Sequence, residues 1–170
     1  MILLALLVLA ACMPGAQPDR RVTFRDRAAP IWSNAVVQPG QLAGDWQQVA
    51  AFATAPGGCA LGRVRIGQAQ PSGVRLEADL CLNGARMRQS GLATVPGPGR
   101  LAPQPAGPGI AQPWWILWAD VDLRTLVIGT PTGEMGFILN RGGSLPPDRW
   151  AAAREILIWN GYDLSRLQRF

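Results

Sequence analysis

The stretch LAGDW, Leu42 to Trp46, decides the fold of this chain. It follows a Pro-Gly pair and precedes the apolar-rich segment QQVAAFATA, so it marks the start of a strand. A Gly-x-Trp at this point is either one strand start among many or the mark of a particular architecture. The choice depends on the composition of the chain and on the order of elements that follow.

The composition excludes several kinds of catalysis. The 170 residues suffice for one domain with a single core. The chain has no His, and its 16 basic residues are all Arg, so it also has no Lys. A Ser-His-Asp triad, a Cys-His pair, His-ligated zinc and Schiff-base chemistry are therefore excluded. We expect no catalytic residue, no metal ligand and no cofactor.

The formal charge of +5 does not point to nucleic acid, because the Arg residues are scattered rather than gathered on one helix. One segment is an exception, DRRVTFRDR, at residues 19–27. It is either a solvated linker or a site of attraction to anionic lipid head groups, at about 1 kcal/mol per basic residue close to the surface.

The first twelve residues, MILLALLVLAAC, indicate export. The apolar run is shorter than the ~20 residues of a membrane-spanning helix and fits the core of a secretory signal. The motif LAAC, Leu9 to Cys12, resembles the lipobox of bacterial lipoproteins, although the basic residue usual near the start is absent. The resemblance implies cleavage before Cys12, lipid attachment to Cys12 and, with Met13 after it, sorting to the outer membrane. The alternatives are an ordinary signal peptide and a buried apolar N-terminus.

This interpretation divides the chain into three parts. Residues 1–11 are the signal peptide, 12–38 a lipid-anchored tether that wraps across the start of the domain, and 39–170 the domain itself. Export also agrees with the remaining cysteines, the even pair Cys59 and Cys81. In an antiparallel hairpin, a turn centred on residue 70 places these two thiols opposite each other, within disulfide range. Two free buried thiols are the alternative.

Short strands dominate the chain after Trp46. Alternating apolar residues, bounded by Gly, Pro and Asn, predict strands at about 45–55, 60–68, 74–82, 85–95, 99–103, 114–121, 124–130 and 134–141. Hairpin-length connections, among them Asn83-Gly84, indicate an all-β antiparallel meander, as a sandwich or a closed barrel. The Pro-rich segment 95–113 is an irregular stretch at a rim, as a stiff surface loop or a ligand gate.

The period changes near the C-terminus. SLPPDRWAAAREILIWNG predicts one helix of about 12 residues, with Pro147 in its first turn and Asn160-Gly161 as its stop. Its apolar face follows 3.6-residue spacing and consists of Trp150, Ala153, Arg154, Leu157 and Ile158. The segment YDLSRLQRF after it predicts a final strand.

Eight strands, one helix and a short strand form the order found in lipocalins, and three segments resemble the signatures of that family. They are GDW at Gly44–Trp46, WWILWADVDLRTLVIGTP at Trp114–Pro131 and GFILNRGGSLPPDRW at Gly136–Trp150. NGYDLSRL, after the helix, is similar to bacterial lipocalins and apolipoprotein D. Leu123 and Arg124 depart from the family, which commonly has an aromatic residue there.

The resemblance implies an eight-stranded antiparallel up-and-down barrel with a C-terminal helix packed outside it. It also implies structural roles for four residues. Gly44 and Trp46 begin the first strand, Asp122 is the turn aspartate of the second signature, and Arg141 lies across Trp46. Arg stacks well on an indole face, a contact worth about 0.5–2 kcal/mol.

A barrel of this size holds one small ligand. If Arg141 and Trp46 point inward at the closed end, strand alternation turns five further residues toward the cavity. These predicted ligand-binding residues are Phe137, Leu139, Gln48, Ala50 and Phe52. Each of them has a plainer alternative role as core filling.

The sequence therefore predicts an outer-membrane lipoprotein, not an enzyme, that binds and transports a small hydrophobic ligand such as a fatty acid or a lysophospholipid. Its partners are that ligand and the membrane, through the lipid anchor. A structural or interaction module of the envelope with a filled barrel is the second hypothesis. A lipid-modifying enzyme is the third, and the absence of His and Lys weighs against it.

Overall fold

A computed structural model describes residues 21–170 as a closed antiparallel barrel with one helix outside it. The predicted signal peptide, 1–11, and the lipidation site Cys12 lie outside the described residues. The nine strands are β1 Gly44–Phe52, β2 Gly62–Gln70, β3 Gly73–Leu82, β4 Ala85–Gly97, β5 Arg100–Pro103, β6 Trp114–Ala119, β7 Thr125–Gly129, β8 Gly136–Asn140 and β9 Leu167–Arg169.

Strand order confirms the predicted up-and-down barrel. Consecutive strands from β1 to β8 pair with one another, and β1 also pairs with β8, which closes the cylinder. The turn between β3 and β4 has positive φ at Asn83 (49°) and at Gly84 (75°), the backbone of a tight primed hairpin turn. β2 pairs with β1 only as far as Gln48. β9 pairs with the last three residues of β1, Ala50 to Phe52.

A β-bulge in β1 changes the face that later residues present. The register of β1 against β8 shifts between Gln48 and Ala50. A bulge inserts one extra residue and so reverses the inward–outward alternation beyond it. Ala51 therefore joins the core inside the barrel, while Ala50 and Phe52 join the core outside it.

The apolar residues form two cores, one on each side of the barrel wall. The inner core fills the barrel and includes Trp46, Trp114, Phe137 and Leu139. The outer core lies between the wall, the helix and the N-terminal strap defined below. Strands such as β7 and β8 are buried along their whole length because they face both cores.

The helix, α1, spans Pro147–Trp159, as the sequence predicts, and Gly161 follows it with φ of 81°. Its most deeply buried residues, Ala153 and Leu157, belong to the outer core. The predicted apolar face is wrong at Arg154 and Ile158, which are exposed. Apolar residues lie on two sides of this helix, so the spacing alone does not show which side packs against the barrel.

The described part of the predicted tether, residues 21–38, packs on the barrel, and we call it the N-terminal strap. Phe24 is 2% exposed and Val37 is 4% exposed, in the outer and inner cores respectively. Arg25, part of the predicted solvated or lipid-facing segment, is instead buried. Its guanidinium donates to the carbonyls of Asn160 (2.9 Å) and Pro131 (3.0 Å), and also to that of Ala29. The packed domain thus extends back to Phe24.

No helix among residues 21–170 has the length and apolar character needed to cross a bilayer.

Candidate ligand-binding site

Trp46 and Arg141 close one end of the barrel, which we call the floor. The Arg141 guanidinium carbon lies 3.9 Å from the centre of the Trp46 ring. The Trp46 indole N–H donates to the Leu42 carbonyl at 2.9 Å, and Trp46 is 2% exposed. The contact predicted from the family resemblance is therefore present, and it seals this end.

The chain that precedes β1 holds Arg141 in place. Residues Pro39–Leu42 form a 3-10 turn beneath the floor. Arg141 Nη2 donates to the Ala43 carbonyl at 3.0 Å and to the Gln41 carbonyl at 3.2 Å. Partial burial lowers the pKa of the Arg141 guanidinium from its ordinary value, but an Arg starts so high that it stays charged.

Gly44 has a structural role at the same end. A Cβ there would lie 3.9 Å from the Arg141 guanidinium, an ordinary contact distance, so space is not what requires glycine. Its φ of 124° is what requires it, because L-residues with a side chain avoid that backbone region. The glycine lets the chain turn from the 3-10 turn into β1 beside Arg141.

Phe137 and Leu139 face the interior, as predicted. Both are fully buried in the inner core, together with Met135 two residues before Phe137. Their contribution is an apolar wall.

Gln48 is buried in the wall with both of its polar atoms engaged. Its Nε2 donates to the Cys81 carbonyl, and its Oε1 accepts from the Cys81 N–H, each at 2.8 Å. The side chain passes over Gly62, where a Cβ would lie 2.4 Å from Gln48 Oε1. The Gln48 carboxamide thus supplies the two hydrogen bonds that a neighbouring strand would otherwise make to the Cys81 backbone. Its polar atoms are therefore not free to bind a ligand.

Ala50 and Phe52 do not line the cavity, so their predicted inward orientation is wrong. The bulge after Gln48 turns both residues outward. Phe52 stacks 5.6 Å from the Phe24 ring and lies 5.0 Å from the Tyr162 ring. The alternation rule fails here because it assumes one residue per step, and a bulge supplies two.

A second tryptophan closes the opposite end, which we call the mouth. Trp114 is fully buried, and its indole N–H donates to the Ile110 carbonyl at 2.8 Å. A 3-10 turn, Gly109–Ala111, places Ile110 in the inner core. The Trp114 ring meets Phe137 edge-on at 5.1 Å. The Pro-rich segment thus contributes a plug to the barrel.

Polar side chains fasten this plug to the β7–β8 turn, and we call them the latch. Gln112 Nε2 donates to Glu134 Oε2 at 2.6 Å, while Gln112 Oε1 accepts from the Thr132 hydroxyl at 2.6 Å. Arg21 of the strap lies 3.8 Å from the other Glu134 oxygen. These side-chain contacts attach the mouth loop to the neighbouring β7–β8 turn.

Tyr162 fixes the turn that carries the latch. Its hydroxyl accepts from the Thr130 N–H at 2.9 Å and donates to the Met135 carbonyl at 3.0 Å. The ring packs against Gly129 and Gly136, where an added Cβ would lie 2.5 and 2.9 Å from Tyr162 atoms. Burial raises the pKa of Tyr162 to about 12.

The disulfide between Cys59 and Cys81 is present, as predicted, with Cα atoms 5.6 Å apart. The register that predicted it is wrong by two residues. β2 and β3 pair Arg63 with Asp79, so Leu61, not Cys59, is level with Cys81. Leu61 has φ of 47° and turns the chain out of the sheet. The loop before β2 therefore carries Cys59 to the end of β3.

Asp120, not the predicted Asp122, organises the β6–β7 turn at the floor. Asp120 Oδ1 accepts from the backbone N–H groups of Arg124 and Thr125, and its Oδ2 lies 3.5 Å from Arg149 Nε. Asp122 is exposed. Both carboxylates follow the same strand, and only the register of the turn decides which one is enclosed.

The sequence interpretation missed Trp114, Ile110 and Gln112 as site residues. A signal was available, because Ile110 and Trp114 have the four-residue spacing of Leu42 and Trp46. The many Pro residues in this segment drew attention away from that spacing. Pro argues against a strand inside a sheet, but it does not argue against a buried turn.

Comparisons with known proteins agree with this architecture. The family model described as a lipocalin-like domain matches residues 102–170. The siderocalin Ex-FABP, described as functioning through dual ligand specificities, has 14% sequence identity and a TM-score of 0.54, over 75% of this chain and 91% of its own. Apocrustacyanin C1 has 16% identity and a TM-score of 0.53, over 76% of this chain and 77% of its own.

Lobster apocrustacyanin A1 also has 16% identity, with a TM-score of 0.52 over 76% of each chain. At such identities the likeness concerns the fold alone. None of the curated protein sequences compared matches the chain. The lipocalin-like domain model over residues 102–170, the closed barrel with its outer helix and the Trp46–Arg141 pair together support the resemblance of this chain to lipocalins.

Proposed function

We propose that this protein binds a small hydrophobic molecule inside its barrel and carries it at the bacterial outer membrane, to which Cys12 anchors it. The carrying observation is the set of large apolar side chains buried inside the barrel, among them Trp114, Phe137 and Leu139. Lipocalin folds are associated with ligands of this class. No chemical step is part of the proposal.

The interior restricts the chemistry of the ligand. Among the described residues the buried charged side chains are Arg25 and Asp120, which bond to backbone groups at the strap and at the β6–β7 turn. The buried amide of Gln48 is engaged by Cys81. An ionised group placed there would lose its hydration without a partner. The ligand is therefore a neutral apolar molecule, or a fatty acid or lysophospholipid whose head group stays at the mouth.

Entry requires the mouth plug to move. Ile110 and Trp114 occupy the inner core, so a ligand takes their place or lies beside them after the Gly109–Ala111 turn lifts. Each CH₂ of an acyl chain that is buried supplies about 0.8 kcal/mol. A chain of several CH₂ groups can thus replace the burial that the Ile110 side chain loses.

Displacement of a fluorescent fatty acid from the delipidated protein tests the proposal. We expect saturable binding at one site, and tighter or faster binding in Ile110→Ala, which empties part of the mouth. Ala152→Ser, on the half-buried part of the helix outside the barrel, is the control and should bind like the unaltered protein. Absence of saturable binding in both the unaltered protein and Ile110→Ala would overturn the carrier function.

The same structure supports a second function, a structural or interaction module of the envelope. The observation that favours it is the presence of a buried Trp at each end of an apolar-filled barrel. A protein of this kind would bind no fatty acid, even in Ile110→Ala, and would keep its thermal stability unchanged when hydrophobic ligands are added.

The anchor itself follows from the LAAC motif alone. Mass spectrometry of the protein isolated from membranes tests it, because acylation of Cys12 changes the mass of the N-terminal peptide and Cys12→Ser abolishes that change. Recovery of unmodified Cys12 from cells would exclude the lipoprotein assignment and leave the binding function standing.

A further inference from the structure

The C-terminal end of α1 and the strap beside it expose large apolar side chains. Trp32 and Trp159 are each 69% exposed and Ile158 is 55% exposed. The backbone N–H of Trp32 donates to Asn160 Oδ1 at 3.0 Å. Trp32 therefore lies next to Asn160, the residue that follows Trp159. We call these three residues the tryptophan patch.

Nothing in the packing of the barrel requires this patch. Helix α1 already buries Ala153 and Leu157 against the wall, and Ile158 and Trp159 project from its opposite side. An exposed Trp on a protein surface is uncommon enough to need a reason, and two near an exposed Ile make this an apolar area of the surface. Val121, 95% exposed in the β6–β7 turn, is a single residue at the floor and forms no such area.

The position of the patch relates it to the start of the described chain. Arg25 links the end of α1, through the Asn160 carbonyl, to the β7–β8 turn at the mouth, through the Pro131 carbonyl. Arg21 lies against Glu134 of that same turn. Cys12 precedes Arg21 by nine residues in the sequence, and nine extended residues reach at most about 30 Å. A lipid on Cys12 would therefore hold the membrane within reach of this side of the molecule.

We propose that the tryptophan patch docks on a phospholipid surface and turns the mouth of the barrel toward the bilayer. Indole rings favour the interface because their apolar body and polar N–H match the boundary between acyl chains and head groups. Arg27 and Arg154 are exposed near the patch, but so are Asp26 and Glu155, so the docking depends on the apolar side chains and not on net charge. This inference rests on the proposed function for the anchor, which concentrates the patch at the surface.

The docking has a consequence for ligand transfer. The latch residues Gln112 and Glu134 belong to the same end of the barrel as the strap and the Pro131 turn. A bilayer at the patch thus lies beside the loop that has to move for an apolar ligand to enter. An acyl chain could pass from the bilayer to the barrel with little exposure to water.

Fluorescence quenching by brominated phospholipids tests the docking. The full chain is placed on vesicles of phosphatidylethanolamine and phosphatidylglycerol, with or without bromine on the acyl chains near the head groups. Bromine quenches an indole only on close approach, and the other tryptophans of the described chain are buried or half-buried. We expect the quenched fraction of the emission to fall at least about twofold in Trp32→Phe/Trp159→Phe.

Two matched variants separate docking from loss of a fluorophore. Ile158→Gln keeps both patch tryptophans and should reduce the quenching, whereas Val121→Gln makes the same change at the floor and should leave it unaltered. Equal quenching in these two variants, or no excess quenching by brominated lipid, would overturn the proposal. A dimer in lipid-free solution that Ile158→Gln dissociates would show that a second copy covers the patch, and would also overturn it.

The outcome is distinguishable from failure of the proposed function. Ile158 lies outside the barrel, so fatty-acid displacement in Ile158→Gln should equal that of the unaltered protein. Acylated Cys12 without patch quenching would refute the docking alone. Patch quenching in a protein whose Cys12 is unmodified would leave the docking standing and refute only the anchor.

Discussion

The two ends of this barrel are closed by the same local arrangement and held by different forces. At each end a 3-10 turn precedes a buried Trp whose indole N–H donates to the carbonyl four residues earlier, Leu42 for Trp46 and Ile110 for Trp114. At the floor a cation covers the indole and binds the backbone beneath it. At the mouth, neutral and acidic side chains fasten a long loop to a turn.

From this difference we expect the mouth, and not the floor, to be the end that opens. Arg141 directly follows β8, and its guanidinium donates to the chain just before β1. Breaking this contact would therefore disturb two neighbouring strands of the barrel. The latch joins a loop to a hairpin turn, and its release disturbs neither β6 nor β7. Loops have lower local stability than strands, so the mouth opens at a lower free-energy cost.

The largest expected effect comes from removing the floor. We expect Trp46→Ala to lower the free energy of unfolding by about 3–5 kcal/mol, because it removes a buried aromatic side chain and leaves a cavity beside Arg141. Urea unfolding measures it. Trp159→Ala, at an exposed position, is the control and should change stability by less than about 0.5 kcal/mol. A small loss in Trp46→Ala would mean that the floor is not a structural closure.

Tyr162 sets a pH dependence at the mouth. Its folded pKa of about 12 lies above the ordinary value of 10.0, so its neutral form is favoured by folding. Its contribution is complete below pH 10 and is lost as the pH rises from about 10 to about 12, up to roughly 3 kcal/mol. Tyr162 is the only Tyr and the chain has no Lys, so tyrosinate absorbance reports this group alone.

Tyr162→Phe tests whether the alkaline loss of stability comes from the Tyr162 hydroxyl. That variant should be less stable at neutral pH, since it leaves the Thr130 N–H and the Met135 carbonyl without the hydroxyl. Its stability should be nearly flat between pH 10 and 12. An equally steep alkaline loss in Tyr162→Phe would contradict the assignment.

Arg141→Met isolates the cation at the floor. Methionine keeps an apolar stem on Trp46 but removes the guanidinium, so we expect a loss of about 0.5–2 kcal/mol from the cation–π contact, with a further contribution from the carbonyls of Gln41 and Ala43. Thermal unfolding measures it. Arg63→Met, on an exposed strand position, should be neutral. Fatty-acid affinity should change little, because this end stays closed by Trp46.

Gln112→Ala has the smallest expected effect on stability and the most direct one on access. We expect a loss of about 0.5–1.5 kcal/mol from its two side-chain hydrogen bonds, with faster association and dissociation of a fluorescent fatty acid. Stopped-flow mixing measures both rates. Gln168→Ala removes one exposed hydrogen bond that involves no latch residue and is the control. Unchanged rates in Gln112→Ala would show that the latch does not limit entry.

The fold was predictable because its signals are local and repeated. Period-2 alternation, the Asn83-Gly84 turn and the helix bounded by Pro147 and Gly161 each depend on residues close in sequence. The Trp46–Arg141 contact came from the family resemblance and not from spacing, since 95 positions separate the two residues. The candidate site was predicted only in part, because Ala50 and Phe52 face outward and Trp114 was missed as a plug.

The sequence by itself determined the all-β meander, the disulfide partners and the apolar character of the interior, since these follow from residue type and short-range pattern. The tertiary structure alone decided the register of the strands and the positions where alternation breaks. One bulge after Gln48 reversed the end of β1, and a two-residue register difference moved Cys59 into a loop. Such shifts depend on how strands meet across the barrel, where the free-energy difference lies in packing between distant residues.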